Sequence, residues 1–89
     1  MNRVDWMQSA LDDLTTIWLQ ADANLRQAIT QATHELDQRL LRDAHNEGES
    51  RENAQRITFV QPLAVTFRIE ADGRTVSVLS VRQIRRRGI

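Results

Sequence analysis

Residues 63–81 read LAVTFRIEADGRTVSVLSV, and no other stretch limits the fold so tightly. Two alternating segments flank an Asp-Gly pair, the combination that specifies a β-hairpin. In the first arm Leu63, Val65, Phe67 and Ile69 share one face, and Ala64, Thr66, Arg68 and Glu70 share the other. Strand side chains alternate with period two, so the apolar set must cover a core. The second arm is apolar on both sides. Val76 and Val78 share a face with Ser80, whereas Leu79 and Val81 point the other way. Such a strand is either central and covered twice, or carries a bulge near Val78–Leu79. Just upstream, RITFVQ alternates Ile57 and Phe59 against Thr58 and Val60. Pro62 then marks a strand boundary, because proline cannot donate to a ladder.

The N-terminal half has a different period. RVDWM alternates briefly and suits a first strand. QSALDDLTTIWLQA follows, with Leu11, Leu14, Ile17, Trp18 and Ala21 on one helical stripe. Ser9 is a candidate cap, and Asp12 and Asp13 sit near the helix start, where the dipole favours negative charge. Asp22 reads as the N-cap of a second helix over 23–42, with its stripe at Leu25, Ala28, Ile29, Ala32, Leu36 and Leu40. A tight turn at Ala21–Ala23 makes the two helices a hairpin. DAHNEGESRENAQ is polar and without period, so it reads as a loop. The order is βααβββ. This is an α+β fold, a helical hairpin packed on a small antiparallel-rich sheet, in a single domain spanning 1–89. The second sheet face is half polar and is either solvated or a binding surface.

Composition narrows the function. The 89 residues carry no cysteine, which removes disulfides and thiolate metal sites. No apolar run approaches the length of a membrane span, and the N-terminus lacks an apolar signal core. A cytoplasmic protein that does not engage a membrane is therefore expected. The formal net charge is zero but is unevenly placed. Residues 1–49 hold four arginines against nine acids, and residues 50–89 hold eight arginines against three acids. Every basic residue is arginine, whose planar fork suits phosphate and carboxylate.

His34 and His45 lack metal-ligand spacing, and no serine sits in a nucleophile context. No metal, cofactor or small-molecule substrate is implied. The arginines remain. Arg56, Arg68 and Arg85 are candidate catalytic residues, and Arg51, Arg82 and Arg86 candidate binding residues. In a meander they can converge on one sheet face or edge and meet a phosphate backbone. Trp6, Trp18, Phe59 and Phe67 are the only aromatics, and the apolar stripes claim most of them for the core. Reading RNA by base stacking is thus poorly supported.

The element order and the phrase RITFVQPLAVTFRIEADGRTVSVLSV resemble the RelE/ParE superfamily of type II toxins. VDWMQSALDDLTTIW resembles that family's opening strand and first helix. The resemblance implies a compact toxin neutralised by a cognate antitoxin that wraps it. It also implies one of two targets, mRNA on the ribosome, which is cut, or DNA gyrase, which is bound. The nucleolytic members use basic residues on the second strand, an arginine on the third, a basic residue after the fourth and often a C-terminal tyrosine. Here Arg56, with Arg51, stands for the first group. Ala64 occupies the third-strand position, with Arg68 four residues on, and Ile84 falls after the fourth strand between Arg82 and Arg85. The chain has neither tyrosine nor lysine. Arginine can stabilise a phosphorane but is a poor general base, since its pKa exceeds about 12. A non-toxic interaction domain that kept the fold is the reading from a different class.

Overall fold

The computed structural model describes residues 1–50 and 52–84, and in it the 63–81 hairpin forms the middle of a five-stranded mixed sheet. The strands are β1 (Arg3–Trp6), β2 (Glu49–Ser50), β3 (Gln55–Val60), β4 (Leu63–Ile69) and β5 (Thr75–Gln83). Their spatial order is β1-β5-β4-β3-β2. Neighbours are antiparallel except for β1, which runs parallel to β5. Two helices, α1 (Gln8–Gln20) and α2 (Ala23–Asp43), connect β1 to the rest. The fold is α+β, as the alternation requires. The elements beyond the sequence expectation lie in the polar 43–55 segment, the two-residue strand β2 and a short 3-10 turn on either side of it, at Ala44–Asn46 and Glu52–Ala54.

α2 matches its stripe. Ile29, Ala32, Leu36 and Leu40 are buried, and Leu25 and Ala28 are half-buried. The Asp22 carboxylate accepts from the Leu25 N–H at 2.8 Å and caps the helix. Facing this stripe are Val60, Leu63, Val65, Phe67, Val76, Val78 and Val81, all buried. Burying one such side chain contributes about 1.5–3 kcal/mol, so this layer contact dominates the fold's stability.

β5 carries the bulge. Phe67 pairs with Val78 and Thr66 with Ser80, leaving Leu79 as the extra residue. β5 also outruns β1, which pairs only with Thr75–Val78. The start of α1 takes over the uncovered edge. The Met7 N–H donates to the Val78 carbonyl, and the Ser9 hydroxyl to the Leu79 carbonyl at 2.6 Å. The Asp13 carboxylate accepts from the Val81 N–H at 3.0 Å. Each of these replaces a bond that a neighbouring strand would make.

This edge contact corrects the expected α1. Ser9 does not cap the helix, because Met7 holds the N-cap position without a side-chain bond. Asp13 serves the β5 backbone, and Asp12 accepts from Gln8 at 2.8 Å. Ala10 is the buried residue of α1, with Leu14 and Ile17 half-buried. Leu11 (41% exposed), Trp18 (37%) and Leu19 (70%) face outward with Met7. Trp18 lies against Arg26, whose guanidinium is 5.3 Å from the ring centroid. No helix among the described residues is long and apolar enough to cross a membrane.

A candidate binding face on the open side of the sheet

Helices cover one side of the sheet and leave the other open. Register fixes which residues stand on each side. Across the open side, Gln55, Ile57 and Phe59 of β3 oppose Arg68, Thr66 and Ala64 of β4. These in turn oppose Ser77, Ser80 and Arg82 of β5. Arg3 and Asp5 of β1 lie beyond Thr75 and Ser77, and Glu49 of β2 lies beyond Ile57.

The structure divides the predicted arginines. Arg68 and Arg82 share the open face. Arg56 stands on the other, since it pairs with the buried Phe67. Its guanidinium is taken up locally. Nε donates to the Glu47 carbonyl at 2.9 Å, Nη1 to the Ser50 hydroxyl at 3.0 Å and Nη2 to the Gly48 carbonyl at 3.2 Å. Arg56 thus clamps the 47–50 segment against β3, and the expected convergence of Arg56 with Arg68 and Arg82 does not occur. Arg51, Arg85 and Arg86 lie outside the described residues.

Arg68 is engaged as well. Its Nε donates to Glu70 Oε1 at 3.0 Å, and the Ser77 hydroxyl donates to Glu70 Oε2 at 2.6 Å. These two bonds, the Ser77 one foremost, hold the Glu70 carboxyl below its ordinary range. Arg3 pairs with Asp5 at 3.0 Å. Arg82 is exposed and makes no ion pair among the described residues. Among the described residues the open face carries Arg3, Arg68 and Arg82 against Asp5, Glu49 and Glu70, a formal charge of zero.

The middle of the face is apolar. Phe59 is 54% exposed, and Ile57 and Ala64 are half-buried beside it. With Trp18 also exposed, the apolar stripes do not claim most of the aromatics for the core, as the sequence suggested. The buried residues of β3 are Thr58 and Val60, and the Thr58 hydroxyl donates to Glu47 Oε2 at 3.1 Å. β3 alternates apolar and polar side chains so weakly that the sequence does not say which set faces inward. The exposure of the aromatic ring is what this ambiguity hid. His34 lies on α2, and His45 Nε2 is 3.3 Å from the Gly73 carbonyl, so neither histidine reaches this face. A concavity of about 350 Å³ lies between α1 and the end of β5, lined by Asp13, Thr16, Ile17 and Gln20 on one side and Val81, Arg82 and Gln83 on the other.

Two helices packed on a five-stranded mixed sheet in this order form the α+β fold of the RelE/ParE toxins. Among solved structures, a chain of the chromosomal ParDE TA system from P. aeruginosa superposes with a TM-score of 0.73 at 19% identity, over 96% of this chain and 98% of that one. A chain of a RelBE toxin–antitoxin complex from Mycobacterium tuberculosis gives 0.72 at 16% identity, over 92% and 90%. The isolated E. coli RelE toxin gives 0.63 at 14% identity, over 98% and 88%. No family model matches the sequence, and no curated protein matches it. The likeness is therefore one of fold.

Proposed function

We propose that this chain is the toxin of a type II toxin–antitoxin pair, and that it inhibits growth by binding a protein target through the open sheet face. The fold supports the toxin role, and the character of the open face supports binding over RNA cleavage. A nuclease of this class needs basic residues where phosphate and the 2′-hydroxyl meet. Here Ile57, Phe59 and Ala64 fill the middle of the face, whose described residues carry no net charge. Over its described residues such a face offers little counterion release, the main source of affinity for a phosphate backbone. Tyrosine and lysine are missing from the chain as proton carriers, both histidines lie elsewhere, and the Glu70 carboxylate on this face is already engaged by Arg68 and Ser77.

The antitoxin partner in this reading is an amphipathic segment. Met7, Leu11, Trp18 and Leu19 expose apolar surface along α1 that such a segment would cover. The site of action is the cytoplasm. The test is to induce the chain alone in a bacterial host and map new mRNA 5′ ends during growth arrest. Arrest without codon-phased cuts is the expected result, and gyrase supercoiling is the first target assay to follow it. Codon-phased cuts in translated regions would restore ribosome-dependent cleavage, and no arrest at all would favour a non-toxic interaction domain.

A further inference from the structure

The last complete row of the open face before the Gln61–Pro62 turn is Phe59–Ala64–Arg82. A large residue stands at each end and a methyl group lies between them. The outer two are separated by two strand spacings, about 9.5 Å. A planar or branched side chain needs about 3.5–4.0 Å to the atoms on either side of it. One such group therefore fits between the ring and the guanidinium, resting on Ala64. Phe59 is more than half exposed, and among the described residues Arg82 has neither an ion pair nor a ring contact. The two ends of the notch are thus unoccupied interaction groups, one apolar and one cationic. Ile57 extends the apolar end, while Thr66 and Ser80 form the adjoining row.

We infer that this notch receives an aromatic or branched aliphatic side chain of a protein partner, with a carboxylate next to it in the partner's sequence. The inference rests on reading the open face as the target surface, and it adds the chemistry of what is bound. A nucleobase would fit the same gap, but its strand would bring phosphates over a face that is electrically neutral among the described residues. Arg68 and Arg3 already hold Glu70 and Asp5 and cannot serve those phosphates without giving up a pair. One unpaired guanidinium beside an exposed ring matches a single carboxylate beside a single anchor.

The experiment titrates the uniformly 15N-labelled full chain with N-acetyl-Phe-Glu-Gly-amide, following amide shifts. Saturable shifts at Phe59, Ala64 and Arg82 are expected, with a Kd of about 1–10 mM for one anchor. The matching Phe-Lys-Gly peptide should bind at least about fivefold more weakly, as should Phe59→Ala and Arg82→Glu chains given the Phe-Glu peptide. Both variants alter exposed side chains, and unchanged shifts at Leu36 and Val65 verify that they fold. Absence of shifts at the three amides, or equal binding of the two peptides, overturns the inference. Tighter binding of a uridylate oligonucleotide at the same amides overturns it in favour of nucleic acid. If the chain arrests growth and the notch stays silent, the proposed function stands and this inference alone falls.

Discussion

A Cβ placed on Gly48 would run into the Ile57 carbonyl, and the residue holds φ at +68°. Both facts exclude a side chain. Gly48→Ala is expected to lower stability by at least about 2 kcal/mol, from the left-handed backbone and the clash together. The opposite case lies a few residues on. Ala54 holds φ at +60° without being glycine. A left-handed alanine costs about 1–2 kcal/mol, and glycine returns part of that as extra unfolded-state freedom. Ala54→Gly should therefore raise the melting temperature by a few degrees while Gly48→Ala lowers it, and thermal melts of the two variants test the pair. The sequence shows Gly48 only as a glycine in a polar loop. Nothing local reveals that Arg56 would clamp that loop, because the pairing of Ser50 with Arg56 depends on a hairpin without a readable turn signal.

At the level of elements, both helices were legible, but the stripe gives the buried face of α2 better than that of α1, where only Leu14, Ile17 and Ala21 of the five stripe residues pack against the core. α2 packs against the sheet like any amphipathic helix, so its buried face follows its periodicity. α1 instead spends its first turns on the β5 edge, a task set by the unequal lengths of β1 and β5. Leu11 and Trp18 keep helical spacing yet face outward. Asp13 is the chemical centre of this arrangement. Asp13→Ala would leave the part-buried Val81 N–H without its acceptor and should cost about 1–2 kcal/mol in urea denaturation. Asp13→Asn keeps a carbonyl acceptor and should recover most of that loss. Faster hydrogen exchange at the Val81 amide in the alanine variant would locate the effect at the edge.

For the whole molecule, charge blocks along the sequence do not translate directly into faces of the sheet. Among the described residues the arginine surplus of 50–89 makes no basic face, because register sends Arg56 to the helix side and places Glu70 against Arg68. Alternation fixed the faces of β4 in advance, but the parallel pairing of β1 with β5 is a contact between the two ends of the chain. Stability should respond to acid through the β4–β5 turn. Backbone N–H groups of Thr75 and Arg74, with the Thr75 hydroxyl, hold the Asp72 carboxyl at about 2, below its ordinary 3.8. A depressed folded-state value stabilises fully above 3.8 and loses that contribution as pH falls toward 2, and Glu70 is displaced in the same direction. Asp72→Ala should flatten the loss of stability across that interval, measured by urea titrations at stepped pH. Leu79, finally, acts as a phase shifter for everything after it. Had β5 continued in strict alternation from Val78, Arg82 would point among the core side chains and Val81 would lie in the open. One surplus residue thus inverts the parity of the strand's last third, and the only unpaired guanidinium on the described open face owes its outward aim to that count.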